Sequence, residues 1–287
     1  MEAYMPVITI ANQKGGVGKT TTAVNLAAGL ALRFRYSDNK DQRVLLIDTD
    51  PQMHALMALA FGDHSAPSQE SLAALLTQMP APSIQGMLRV AQYHPNLHFI
   101  AGNRTALTEA ASRLPGLLNK DMRLSLAIES VLKDYAFIVI DTPPNPGDLL
   151  TNTLVAATHV LIPVETSYLG VTGLQSLHET IENVKSAYQR DDLGVIGYLP
   201  TMVDLQRAES QEILDSLSSL FGDLVLKPIH KSADLAYAHS AHMDIFNFRP
   251  PRRREDGALR SSSRGTQDYA QLVETVMKRT EFARIMA

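Results

Sequence analysis

Val7-Ile8-Thr9-Ile10-Ala11-Asn12-Gln13-Lys14-Gly15-Gly16-Val17-Gly18-Lys19-Thr20 decides the reading of this chain. An apolar segment, Val7 to Ala11, leads into Lys14-Gly15-Gly16-Val17-Gly18-Lys19-Thr20, and a helix-forming stretch follows at once. Strand, glycine loop and helix therefore come in the order of a phosphate-binding loop. Gly15, Gly16 and Gly18 permit the tight, partly left-handed backbone from which N–H groups turn toward phosphate oxygens. Lys19 is then set for the β- and γ-phosphates, Thr20 for Mg²⁺ and Thr21 for the α-phosphate, with the positive end of the helix behind them. The strict spacing asks for glycine at position 13, where this chain has Gln13 followed by a second lysine, Lys14.

The chain has 287 residues, a net charge of −4 and no cysteine. That length allows one large α/β domain or two small ones, either with an adequate core. Without cysteine there is no disulfide and no protein-held iron–sulfur cluster. The charge is uneven: residues 1–226 carry 15 Lys and Arg against 23 Asp and Glu, net −8, and residues 227–287 carry 11 against 7, net +4. Contact with nucleic acid is expected mainly from the basic C-terminal part. Met1 to Pro6 show no basic segment followed by a long apolar one, and no later run approaches a bilayer span, which predicts a cytoplasmic protein.

Short apolar runs rich in β-branched residues predict strands at 7–11, 44–47, 97–101, 137–140, 160–164 and 195–199. Helical patterns lie between them at 20–34, 71–76, 122–133, 174–188 and 208–221. The alternation predicts an α/β fold with a mostly parallel, twisted sheet and helices on both faces. Edge strands are expected at 224–228 and 244–248, and a C-terminal helix at 266–286. With no repeat and no linker, residues 1–287 read as a single domain. It carries polar loops at 63–69 and 77–85 and a flexible Arg-rich loop at 249–265, where six arginines accompany prolines that prevent regular structure.

Two other strands end in carboxylates, on the side where α/β sheets bind ligands. Val44-Leu45-Leu46-Ile47 runs into Asp48-Thr49-Asp50-Pro51-Gln52. These two acids either serve a ligand or cap the following helix. Phe137-Ile138-Val139-Ile140 runs into Asp141-Thr142-Pro143-Pro144, an arrangement in which Asp141 holds Mg²⁺. The prolines stiffen a loop through which loss of a γ-phosphate would be relayed.

The glycine loop with its extra Lys14 resembles the deviant Walker A box of the ParA/MinD family of P-loop ATPases. The resemblance continues through Asp48 to Gln52, Asp141, the run Asn145 to Thr166, and Asp244-Ile245-Phe246 ahead of Arg264-Gly265-x-x-x-Tyr269. It is dense over 5–60 and 135–180 and looser elsewhere. It implies ATP and Mg²⁺ as cofactors and a slow, partner-stimulated hydrolysis of ATP. It also implies an ATP-dependent homodimer in which Lys14 contacts the nucleotide of the other subunit. Lys14, Lys19 and Asp50 would be the catalytic residues, with Asp50 orienting the attacking water, and Thr20, Asp48 and Asp141 would serve the Mg²⁺ shell. Adenine would lie between Thr201-Met202-Val203-Asp204 and Arg249-Pro250, which makes Met202, Asp204 and Pro250 candidate contacts. Two features depart from the family: Gly-Asn after the second aspartate is Met53-His54 here, and the Arg-rich loop is longer than the usual turn.

The lack of room before the first strand for a helix-turn-helix domain resembles the small, ATPase-only ParA type. Such dimers hold DNA without sequence preference, which implies phosphate contacts for Arg252, Arg253 and Arg254. Lys227, Lys231, Arg260, Arg264, Lys278 and Arg279 would extend that surface; the bland alternative is a solvated loop. Nucleoid association and a ParB-like or adaptor partner follow from the same resemblance. The competing expectation is a MinD-like membrane cycle. Phe282, Ile285 and Met286 make only a short amphipathic end for it, however, and Tyr269, Leu272, Val273, Val276 and Met277 read as a packing stripe. A reductase of the nitrogenase iron-protein type shares the loop, but this chain has no cysteine to hold its cluster. His239 and His242 join no metal motif and read as surface or packing residues.

Overall fold

The strand that feeds the glycine loop, β1 (Val7–Ile10), is buried along its whole length. It is flanked in parallel by β5 (Phe137–Asp141) and β6 (His159–Glu165). The computed structural model describes residues 5–60, 65–167, 173–249 and 263–280. With β2 (Val44–Asp48), β3 (Leu88–Ala91), β4 (His94–Ile100) and β7 (Gly194–Thr201), these strands form one sheet in the order β3-β4-β2-β5-β1-β6-β7. Every neighbouring pair is parallel except β3 with β4. The mostly parallel α/β sheet expected from the sequence is thus present. No described helix is long and apolar enough to cross a membrane.

Helices cover both faces because parallel strands bury both sides. Strand β6 shows the alternation: Leu161 joins one buried cluster, while Val160, Ile162 and Val164 join the other. The first cluster takes in α1 (Lys19–Arg35), α2 (His54–Leu59), α3 (Leu72–Thr77), α4 (Arg104–Arg113) and α5 (Arg123–Ile128). The second takes in α6 (Asp148–Ala156), α7 (Leu174–Tyr188) and α8 (Ala208–Phe221). Two further helices, α9 (Ala233–Ser240) and α10 (Arg264–Arg279), add Ala238, Tyr269, Leu272, Val273 and Val276 to the first cluster. Helix α10 starts two residues before its expected position and ends at Arg279; positions 281–286 lie outside the described residues.

Neither expected edge strand at the C-terminal end is a strand. At 244–248 the Asp244 carboxylate accepts from the N–H groups of Phe246 (3.0 Å) and Asn247 (3.2 Å), and Phe248 N–H donates back to the Asp244 carbonyl (3.0 Å). Those donors are spent on a turn and are lost to any ladder. At 224–228 only a bridge forms, Val225 with Tyr198. Pro228 has no N–H, and the main-chain bonds from this stretch to β7 are Leu226 N–H to the Tyr198 carbonyl and Ile229 N–H to the Pro200 carbonyl, both 2.8 Å. The helix expected over 122–133 also divides, with α5 passing into a 3₁₀ segment, Glu129–Asp134. Its three-residue turn keeps Ile128 and Val131 on one buried face.

Gly197 of β7 lets the 224–226 segment approach, since a Cβ there would stand 2.5 Å from the Leu224 carbonyl oxygen and 2.7 Å from Leu226 Cδ2. Backbone cannot yield as a flexible side chain does, so Gly197→Ala should cost about 1–3 kcal/mol. Urea unfolding of the two proteins checks this; an unchanged midpoint would show that the segment moves without cost.

Candidate nucleotide-binding site

Sheet register brings three strand ends together. Ile10 is paired with Asp141, and Asp48 with Asp141, so the glycine loop leaves β1 beside two carboxylates. Side-chain and main-chain bonds tie these ends: Thr49 donates to the Asp141 carbonyl through its N–H (3.0 Å) and hydroxyl (2.6 Å), and Thr142 donates to the Ile10 carbonyl (2.8 Å). Asn12 anchors the start of the loop, giving an N–H to the Pro163 carbonyl (2.7 Å) and accepting one from the Lys14 amide (2.9 Å).

The loop has the shape a phosphate cradle needs. Gly16 (φ +76°) and Gly18 (φ +85°) are left-handed, and Gly18 is the N-cap of α1. Thr201, at the end of β7, holds the loop from the other side by donating to the Val17 carbonyl (2.9 Å). The Lys19 ammonium folds back to the Lys14 carbonyl (2.8 Å). Burial pushes the Lys19 pKa down, while Asp141 and Asp50 pull it up.

Asp141 is fully buried, and no well-formed hydrogen bond reaches either carboxylate oxygen among the described residues, although the Thr20 hydroxyl and the Thr142 N–H lie close enough to favour its charged form. Burial pushes its pKa up to about 7. The Asp50 charge adds to the rise, and the nearby Thr20 hydroxyl and Lys19 ammonium oppose it. A buried carboxylate so weakly hydrogen-bonded is costly, and a divalent cation meets that need by its chemistry. With the glycine cradle, Lys19 and Thr20, the residues present fit a nucleotide phosphate chain with its magnesium.

Asp48 behaves differently from Asp141. One oxygen accepts from Asp50 N–H (3.0 Å), and the other from Ala55 N–H (3.0 Å) and Leu56 N–H (3.4 Å). Its carboxylate therefore caps α2 and shapes the turn before it, the capping alternative named for this pair. Burial, then the Asp141 charge, raises its pKa well above the ordinary range. Asp50 accepts from Gln52 N–H (2.9 Å) while remaining partly exposed. Met53 occupies the left-handed region (φ 56°) where glycine is easiest, and its buried side chain lies over Gly102. Arg104 steadies the same turn by donating to the Gln52 side chain (2.7 Å).

Lys14 is held within its own subunit. Its ammonium meets Glu165 at 2.6 Å and Ser167 Oγ at 3.4 Å, with side chains 27 % and 31 % exposed for the ion pair. Gln13, in place of the strict glycine, reaches α7 through Thr180 Oγ1 (3.0 Å). The sequence reading missed Glu165, although it too stands at the C-terminal end of a strand, the signal that singled out Asp48 and Asp141.

Residues assigned to two different ligands turn out to be neighbours. Asp204, Lys231 and Arg264 line one pocket of about 320 Å³, together with His230 and Gln206. Arg264 donates to His230 Nε2 (2.8 Å), and His230 bonds Asp268 through its ring Nδ1 (3.0 Å). Met202, directly after Thr201, is half exposed with φ 55°. Pro250, Arg252, Arg253, Arg254 and Arg260 lie outside the described residues. His239 packs its ring edge-on against His54, and His242 Nδ1 bonds the Met57 carbonyl (2.9 Å). Among the described residues no three His, Cys, Asp or Glu could hold a metal ion.

The AAA domain family matches residues 5–195. Over 271 residues the chain is 32 % identical to the sporulation initiation inhibitor protein Soj of Bacillus subtilis, covering 94 % of this chain and 97 % of that one. It is 36 % identical over 226 residues to the chromosome partitioning protein ParA of Myxococcus xanthus, covering 78 % and 74 %. Among solved structures, a McdA–ATP complex from Cyanothece superposes with a TM-score of 0.77 at 21 % identity, covering 97 % of each chain. Cobyrinic acid a,c-diamide synthase of Mycobacterium smegmatis with ADP and magnesium gives 0.74 at 23 %, covering 97 % of this chain and 96 % of that one.

Removing the unpaired charge should stabilise the nucleotide-free protein. Asp141→Asn is expected to raise its unfolding temperature by about 2–4 °C per kcal/mol regained. The sign with pH is fixed: the folded carboxyl keeps its proton up to about 7, whereas the unfolded one loses it near about 4. The stability this group contributes is full below about 4 and is lost as pH rises toward about 7, so the variant's advantage grows over that interval. A variant equal to or less stable than the parent at neutral pH would contradict this.

Proposed function

Because the chain belongs to the ParA/MinD family of ATPases, we propose that it is a partition ATPase of the ParA/Soj kind. In this reading it binds Mg²⁺-ATP, pairs with a second copy, holds DNA without sequence preference, and releases it on hydrolysis. The observation that carries the reading is the fully buried and poorly hydrogen-bonded carboxylate of Asp141 beside the phosphate cradle.

Lys19, Thr20 and Asp141 hold phosphate and magnesium, and the amides of Gly15 to Thr21 wrap the phosphate chain. When bound, the magnesium ion neutralises phosphate charge and favours an in-line arrangement of the transferring group. Asp50 is the carboxylate that orients a water, on a turn whose shape Asp48 fixes by capping α2. That turn also rests on Arg104 and Gly102. Asp48 therefore acts on the metal shell only indirectly.

Lys14 reaches the other subunit's nucleotide, and to do so it leaves Glu165 and Ser167. A partly exposed ion pair of this kind is worth about 0–1 kcal/mol. Phosphate binding energy exceeds that easily, so the contact delays pairing without preventing it. Hydrolysis is slow alone and stimulated by a ParB-like or adaptor partner. The basic C-terminal residues, Arg252 to Arg254 with Lys231, Arg260 and Arg264, meet DNA phosphates.

Lys14→Ala should lower ATP turnover by about 10²-fold, the scale of losing one charge-stabilising donor, and should leave the protein monomeric with ATP in analytical ultracentrifugation. Survival of both activities would remove Lys14 from the mechanism. On the DNA arm, retention with a non-hydrolysable ATP analogue should fall by about 10³-fold between low and physiological salt if six or more phosphates are neutralised. Retention on anionic liposomes in place of DNA would overturn this part in favour of a membrane cycle.

A further inference from the structure

Helix α1 carries the phosphate loop at one end and, at the other, opens onto two adjoining hollows that share Tyr36. The first, about 670 Å³, lies among Arg35, Lys40 and Arg43, with Asp41 as its one acid and Asn96 at its edge. That volume falls within the range of ligand clefts, about 300–1,000 Å³. The second, about 230 Å³, is apolar where Leu32, Phe246 and Val273 line it. Gly29 forms its floor: a Cβ there would stand 2.6 Å from Val273 Cγ2 and 2.9 Å from Phe246 Cε2.

The loop that carries the cations is built by its own bonds. Ser37 donates to the Phe34 carbonyl (2.9 Å), Gln42 N–H to Asn39 (3.1 Å), and the Asn96 amide to Ala31 (2.9 Å) and Gln42 (3.2 Å). Tyr36 is 76 % exposed, with the Arg35 guanidinium 5.9 Å from its ring centre. Glu274, on the rim of the apolar hollow, is paired with Arg33 at 3.0 Å, so the charge this face offers is positive.

We propose that this face docks a short segment of a partner protein in which an apolar or aromatic side chain is flanked by Asp or Glu. The apolar residue would enter the hollow beside Phe246, and the carboxylates would meet Arg35, Lys40 and Arg43. Such anchors and paired arginines supply most of the affinity in peptide recognition. Charge explains the selectivity: residues 1–226 are net −8, so an acidic segment is repelled by the body and attracted here. DNA fits less well, because its backbone has no use for an apolar hollow. The inference goes beyond the partition reading above: it adds a docking surface and the chemistry of the segment that fits it.

A random peptide library displayed on phage, selected on the full chain without nucleotide, tests it. Selected peptides are then titrated by fluorescence anisotropy into the parent, Tyr36→Ala and the double variant Lys40→Glu/Arg43→Glu, with folding checked by circular dichroism. Acidic residues around one apolar side chain should dominate the selection, and both variants should lose at least about tenfold in affinity. ATP turnover without peptide should be unchanged in both. No enrichment, enrichment without acidic residues, or equal binding to the variants would overturn the proposal. It would also be overturned if duplex DNA, and not peptide, lost affinity in the charge-reversed variant. Peptide affinity is read without nucleotide, so this result and that of Lys14→Ala succeed or fail separately.

Discussion

A carboxylate buried in the middle of a sheet, reached by no well-formed hydrogen bond among the described residues, is the constraint on which this site depends. Asp141 ends a strand whose neighbours on both sides are already paired, so its side chain cannot swing to solvent. Everything around it is consistent with a cation arriving from outside. Its own carbonyl is taken by Thr49, the adjacent Asp48 spends its oxygens on backbone amides, and the nearest ammonium, Lys19, is bonded to the Lys14 carbonyl. Retaining the charge has a rationale only if a bound group compensates it.

The same neighbourhood links that charge to motion. Asp48 joins the strand end to α2, Met53 in its left-handed turn packs on Gly102, and Arg104 holds Gln52. Few, directional contacts therefore connect the surroundings of Asp141 and Asp50 to α2. On the opposite flank, Lys14 and Glu165 connect the loop to β6, and Thr201 connects it to β7. Strand ends on both sides of β1 thus meet at the glycine loop, which explains why the loop can be rigid although it is rich in glycine.

Much of this was legible because residue type and position along a strand carry the chemistry. Glycines before Lys19-Thr20, and acids immediately after apolar runs, need no knowledge of distant contacts. Strands β1, β2, β5, β6 and β7 were found within a residue or two, for they are buried on both faces and read as continuous apolar runs. What escaped depends on other parts of the chain. Helix α6 is buried nearly all round, so no stripe betrays it; β3 is half exposed and short; α2 has only six residues, too few for a period. The role of Asp48 stayed open because a carboxylate at a strand end suits a ligand and a helix cap equally, and only the amides of Ala55 and Leu56, seven and eight residues on, decide between them. The Lys14–Glu165 contact spans 151 positions, and nothing local announces it. The segment 244–248 reads as a strand from its apolar residues, whereas the Asp244 carboxylate takes the N–H groups of Phe246 and Asn247 and makes it a turn.

The central claim is that Asp141 waits, partly protonated, for a metal-bound nucleotide. Calorimetric titration with preformed Mg²⁺-ATP just below neutral pH, repeated in buffers of different ionisation enthalpy, measures it directly. Binding should release protons, because the cation favours the ionised form of a carboxyl whose pKa is held at about 7. Binding that is tight yet releases no protons, or that is equally tight with the metal chelated, would contradict the account.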